Sequence, residues 1–174
     1  MTSFSNIASS LPWPNEAGKR TSIGPVSGST ESQYLSELSK AAPLMIVITG
    51  TTAAAHTLAA ELPFFLDPSK EILLIPDWET LPYDNFSPHE DIISDRLKAL
   101  SRLPTLTEGV VIASVTTLMH RLPPKHFIEA GVLSLSQGQH LDAQKFVRNL
   151  TRNGYRRVDT VFEHGEFATR GSLL

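Results

Sequence analysis

Lys145, Arg148, Arg152, Arg156, Arg157 and Arg170 stand against Asp159, Glu163 and Glu166 in the last part of the chain, so residues 145–174 carry +3 within a chain of net charge −3. The residues ahead of them carry −6. A guanidinium is a planar, permanently charged fork of N–H donors matched to carboxylate and phosphate oxygens. A cationic patch on an acidic chain therefore points to an acidic partner surface or to nucleic acid.

Catalytic chemistry is harder to place. A phosphate-binding loop needs Gly-x-x-x-x-Gly-Lys-Ser/Thr, because backbone amides cradle the phosphates while the lysine reaches the terminal ones. Gly50-Thr51-Thr52 and Gly28-Ser29-Thr30 offer the second half of that pattern, but Met45 and Ile23 occupy the first glycine position, and Thr51 and Ser29 the lysine position. Both read as turns into helices, with only the residual anion affinity of a helix N-terminus. Ile72-Leu73-Leu74-Ile75-Pro76-Asp77 has the form of an apolar strand ending in a magnesium-holding acid. With no lysine loop to serve, Asp77 reads as a strand-end cap and Trp78 as a packing residue. His56, His89, His120, His126, His140 and His164 form no i, i+4 pair flanking a Glu, so no zinc motif is present. No Ser, His and Asp set can be nominated as a triad. The expectation is no catalytic residue, no metal and no cofactor.

Alternating elements surround these residues. At 174 residues and 41% hydrophobic content the chain can bury a core. It has no cysteine, which fits a reducing compartment. No run approaches the roughly 18 apolar residues of a spanning helix, and the expected location is cytoplasmic. Residues 1–26, rich in Ser, Pro, Gly and Asn, read as an irregular arm with Trp13 docked on the body. A helix opens at Gly28-Ser29-Thr30 and runs through Tyr34, Leu35 and Leu38. Leu44–Ile48 is a continuous apolar run, as in a strand buried on both faces. A helix over Thr52–Leu62 places Ala55, Leu58, Ala59 and Leu62 on one side. The pattern then repeats, with strand Ile72–Ile75, helix Asp91–Leu103 carrying Ile92, Ile93, Leu97 and Leu100, and strand Val110–Ala113. Such alternation predicts a parallel sheet. After Pro123-Pro124 the texture changes: Val132–Ser136 alternates apolar and polar residues, and Asp142 starts a helix carrying Phe146, Val147 and Leu150.

Two terminal strands complete a small antiparallel α+β unit. With His164-Gly165 as the central turn residues, Phe162 pairs with Phe167, Asp159 with Arg170, and Arg157 with Ser172. Val158, Phe162, Phe167 and Leu173 then form the core face, and Arg157, Asp159, Ala168, Arg170 and Ser172 the exposed one. Alternation turns Arg156 toward the Val158 face. The plain alternative is that Arg170 only pairs across the strands with Asp159, worth about 0.2–1 kcal/mol.

Asp77–Asp91 (DWETLPYDNFSPHED), Gly154-Tyr155-Arg156 and Glu163–Gly171 (EHGEFATRG) closely resemble the N-terminal region of the bacterial transcription-repair coupling factors, over roughly residues 25 to 174. That region is similar to the excision-repair protein UvrB. The resemblance implies a degenerate P-loop, RecA/helicase-like lobe over residues 27–122. A small UvrA-binding α+β domain with antiparallel strands would follow over residues 123–174, cut short at its C-terminus as in a piece of a longer chain. UvrB keeps its lysine loop and a Tyr-rich hairpin that probes damaged DNA. Here the lysine is absent and Trp78–Ile92 is too short for the hairpin, which leaves a non-catalytic adaptor that recruits UvrA in nucleotide excision repair. The implied contacts are Arg156, Arg157 and Arg170, with Phe167 supporting the strand; Arg157 and Arg170 also follow from the face argument. RNA polymerase and DNA translocation, an ATP-dependent activity of the longer family protein, are implied for other parts of it. The competing expectation is a nucleotide-dependent helicase or ATPase lobe binding DNA directly. The missing lysine counts against it, and the net charge and lack of an aromatic and basic stripe count against stable DNA binding by this stretch alone.

Calorimetric titration with Mg-ATP is accordingly expected to show no binding tighter than about 100 μM, roughly −5.5 kcal/mol. A tighter isotherm would overturn the reading of both glycine turns.

Overall fold

The computed structural model describes residues 16–174 apart from 82, 134 and 172. The expected docking of Trp13 and the pairing of Ser172 lie outside the described residues. Two compact units appear, one built from the residues up to Asp77 with Thr105–His120, the other from Trp78–Pro104 with Arg121–Leu174.

The first unit is α/β. Helix α1 (Thr30–Ala41), strand β1 (Leu44–Thr49), helix α2 (Thr52–Glu61), strand β2 (Glu71–Ile75), strand β3 (Gly109–Ser114) and the short helix α4 (Val115–Met119) follow in chain order, with the second unit's helix α3 (Glu90–Arg102) between β2 and β3. The three strands pair in parallel in the order β1-β3-β2. Ala55, Leu58 and Leu62 pack on Val110 and Ile112, with Met45, Val47, Ile72 and Leu74 around them. This is the α2 face that helical spacing predicts. Thr51 caps α2 by accepting the Ala54 N–H at 3.1 Å, so Gly50-Thr51-Thr52 makes a capped turn from strand to helix.

Two features of this unit depart from the sequence reading, and Asp77 takes the strand-end role expected of it. Every residue of β3 is buried, yet β1 is not buried on both faces: Ile46 and Ile48 are 66% and 57% exposed. β1 lies at the edge of the sheet, and its second face is left open among the described residues. On α1 Tyr34 is buried as an apolar residue should be, but the other buried positions are Ser32, Ser36 and Ser39, while Leu35 and Leu38 are half-buried. The Ser32 hydroxyl donates to Glu61 (3.1 Å) and that of Ser36 to the Phe65 carbonyl (2.6 Å), so a polar seam ties α1 to the end of α2. Asp77, beyond the end of β2, accepts on one carboxylate oxygen from the hydroxyls of Ser114 (3.3 Å), Thr116 (2.5 Å) and Thr117 (3.1 Å). It is a strand-end clamp across to the first turn of α4, which Ser114 caps.

The second unit contains α3, helix α5 (Lys125–Gly131), helix α6 (Ala143–Arg152), and two-residue strands β4 (Arg156–Arg157) and β5 (Glu166–Phe167). Periodicity predicts Leu97 on the buried face of α3, but that side chain is 49% exposed while Arg96 is 2% exposed. Arg96 buries because its guanidinium stacks over Trp78, 4.6 Å from the ring centroid, where a flat cation meets the negative face of the indole. The described residues of 132–136 form no strand. Before α3 the backbone turns left-handed at Glu79 and Tyr83, and the Leu81 N–H donates to Asp84 at 2.7 Å.

Gly109 is the fixed point of the sheet. It faces Leu44 on one side and Glu71 on the other, has φ 134°, and a Cβ there would sit 2.2 Å from the Glu71 carbonyl oxygen. Gly109→Ala is expected to cost at least about 2 kcal/mol in chemical denaturation. Gly50→Ala, with nothing within 4 Å of the added carbon, should stay within about 0.5 kcal/mol. Equal effects would refute the packing argument.

Candidate partner-binding site

The charged surface is positioned by α6. Asp142 caps its start, accepting the Lys145 N–H at 3.0 Å, and Leu150 anchors its buried side. Its end closes as a Schellman motif: Tyr155 N–H donates to the Leu150 carbonyl (3.0 Å) and Gly154 N–H to that of Thr151 (3.1 Å), with Gly154 at φ 87°. A left-handed residue at this position is what glycine permits without a Cβ clash. The chain leaves this cap directly into Arg156 and Arg157.

The terminal strands are not an antiparallel hairpin. Arg156 pairs with Glu166 and Arg157 with Phe167 in parallel register. Arg156 N–H donates to the Gly165 carbonyl (2.7 Å) and Val158 N–H to that of Phe167 (2.9 Å), the evenly spaced, slanted pattern of a parallel ladder. Gly165 does take the positive φ expected of it (80°), but the reversal is closed differently. The Glu166 carboxylate accepts the backbone N–H groups of Phe162 (3.0 Å) and Glu163 (3.2 Å), folding the segment back on itself before β5. The Phe162–Phe167 and Asp159–Arg170 pairings are therefore replaced. Phe162 and Leu173, placed on the core face by alternation, are 86% and 72% exposed, whereas Phe167 is buried as expected.

Arg156, Arg157 and Arg170 all reach the surface. They differ in their partners. The Arg156 guanidinium donates to Glu166 Oε1 at 2.6 Å and lies 3.7 Å from Glu163. Arg157 donates to the Thr169 hydroxyl at 2.7 Å. Arg170 exchanges backbone hydrogen bonds with Leu173 (3.0 Å each), and among the described residues its guanidinium has no ion pair with Asp159. Arg170 instead borders an open cavity of about 280 Å³ shared with Asp159, Thr169 and Leu173.

Sequence reasoning missed His164 and Glu166. His164 Nε2 lies 3.2 Å from Asp91, and Nδ1 3.4 Å from the Ser94 hydroxyl, fastening the loop to α3. Glu166 sits in the quoted motif, but only the fold reveals that its carboxylate faces inward. Among the described residues no group of three His, Cys, Asp or Glu side chains could hold a metal ion, and no helix is long and apolar enough to cross a membrane.

A family model described as the UvrB interaction domain matches residues 133–174. The transcription-repair-coupling factor of Escherichia coli is 40% identical over 163 residues, 92% of this chain and 14% of the relative. Those of Haemophilus influenzae (39% over 162 residues, 92% and 14%) and Myxococcus xanthus (33% over 166 residues, 91% and 14%) are similar. The chain thus spans 14% of the length of these relatives.

The hydrogen bond from Phe162, and after it that from Arg156, holds the Glu166 carboxyl below the usual glutamate range. Its contribution to the turn is fully present above the unfolded value, about pH 4.3, and is lost as pH falls through the lower folded value. On acid titration the Phe162 and Glu163 amide proton resonances should stay fixed down to about pH 4.3 and move only below it. Movement centred between pH 4 and 5 would show an unperturbed carboxylate.

Proposed function

The chain belongs with the transcription-repair-coupling factors as a counterpart of their N-terminal region, and we propose that it is a non-catalytic adaptor that recruits UvrA during nucleotide excision repair. Residues 123–174 form the binding domain in this reading, and residues 27–122 the lobe that carries it. The observation that supports it best is the exposure of Arg157 and Arg170 at the end of the +3 segment, inside the stretch matching the UvrB interaction domain.

Both guanidiniums can meet an acidic protein surface without unfolding anything, since neither lies in the core. Arginine is the residue suited to this, because its fork pairs with a carboxylate through two parallel hydrogen bonds. Phe167 supports the surface from beneath: buried at 6% exposure, it holds β5 against the rest of the unit. Arg156 contributes from the adjoining strand. Binding of RNA polymerase and ATP-dependent movement on DNA are assigned in this proposal to other parts of the longer relatives. The rival nucleotide-dependent lobe lacks support, because Thr51 caps α2 where a phosphate-reaching lysine would be required.

Arg157→Glu combined with Arg170→Glu should abolish capture of purified UvrA. Far-UV circular dichroism should not change, and Tm should shift by only a few degrees. Desolvated interface arginines cost about 2–4 kcal/mol each on truncation, against less than about 1 kcal/mol for rim charges. A doubly reversed chain that binds UvrA as tightly as the parent at moderate salt would remove the surface from consideration.

A further inference from the structure

We propose that Glu166 is the positioning residue of the arginine surface, and that Arg156 acts through it rather than by touching the partner. The inference rests on the reading of this surface as a UvrA-binding site and assigns unequal roles to its three arginines.

A ladder of two residue pairs supplies few backbone hydrogen bonds, so side chains must hold β4 and β5 in place. Glu166 is built for this. Its side chain is 8% exposed, although those of Arg156 and Glu163 around it are 68% and 64% exposed. One carboxylate oxygen accepts both turn amides, Phe162 and Glu163, and the other accepts the Arg156 guanidinium directly across the ladder. The same group thus closes the reversal and fixes the first arginine. The lowered proton affinity of Glu166 and the raised one of Arg156 agree with this mutual engagement.

Arg157 follows Arg156 and projects to the other side of the strand. Its contact, Thr169, lies just beyond β5, and Arg170 is the next residue. The positions of both outward arginines therefore depend on β4 and β5 staying in register, and Glu166 sets that register. A carboxylate is acceptor-only, with about four lone-pair directions. A carboxamide offers one acceptor oxygen and a donating NH2, so it cannot serve the turn amides and the guanidinium together. Whichever partner the remaining oxygen keeps, it has lost its charge and accepts more weakly, so the turn amides loosen in either case.

The test uses the whole chain in four forms: parent, Glu166→Gln, Arg156→Lys and Arg156→Gln. Amide hydrogen exchange at Phe162 and Glu163 is measured without partner, and affinity for purified UvrA beside it. Glu166→Gln is expected to speed exchange at those two amides, and to weaken UvrA binding, by about tenfold each. Arg156→Lys should keep exchange at the two turn amides within about threefold of the parent, because an ammonium still pairs with the carboxylate. Arg156→Gln should fall between. Unchanged exchange in Glu166→Gln overturns the proposal. So does an Arg156→Lys chain that loses as much binding as Arg156→Gln while its turn amides stay protected, since Arg156 would then be a direct contact. A parent chain that does not bind UvrA sinks the partner reading alone; exchange at Phe162 and Glu163 then decides by itself whether Glu166 sets the arginines' position.

Discussion

Strand β3 is hydrogen-bonded along both edges and buried at every residue, and the first unit is organised around that double constraint. A strand so placed needs apolar side chains on both faces and room for a neighbouring backbone on either side. Val110, Val111, Ile112 and Ala113 meet the first demand and Gly109 the second. β1 and β2 both take their register from the same glycine, and α2 lies on the face that Val110 and Ile112 present. The end of the strand is secured by Asp77, whose carboxylate gathers the hydroxyls of the turn that follows.

Carboxylates do comparable work in the second unit. Asp142 starts α6, Glu166 closes the reversal before β5, and Asp91 receives His164 from the intervening loop. Each meets backbone N–H groups or a basic side chain. Of the three acids in residues 145–174 only Glu166 is turned inward, while Asp159 and Glu163 stay at the surface together with Arg157 and Arg170. A partner encounters the groups left at the surface, so the arginines are met there with two carboxylates in the same segment.

The α/β architecture was legible because apolar runs and helical spacing report burial directly, and α2, β2 and β3 lie where those patterns put them. The edge position of β1 was not. A run such as Leu44–Ile48 shows that a strand could be covered on both faces, and only the order of strands decides whether it is. Burial of Arg96 was invisible for another reason: its partner, Trp78, is far along the chain, and a charged residue at helical spacing normally marks the wet face. At the candidate site the exposure of Arg157 and Arg170 and the burial of Phe167 could be read from alternation, whereas Arg156, which alternation turns toward the Val158 face, is exposed. The direction of pairing could not, because turn rules weigh backbone preferences at His164-Gly165, whereas here a side chain just past the turn captures its amides.

The Schellman cap at Gly154 links the length of a helix to the aim of a charge. Arg156 begins two residues after the glycine that ends α6, with Tyr155 tied back to Leu150 and no slack between. Each residue of an α-helix adds about 1.5 Å of rise and about 100° of rotation. Removing one residue from α6 would therefore swing Arg156 and Arg157 by more than a quarter turn, leaving composition and charge almost untouched. Drift in the sequence of the helix's wet face is easily absorbed, but insertions and deletions within it are not, and the helix behaves as a gauge that sets where the arginines point.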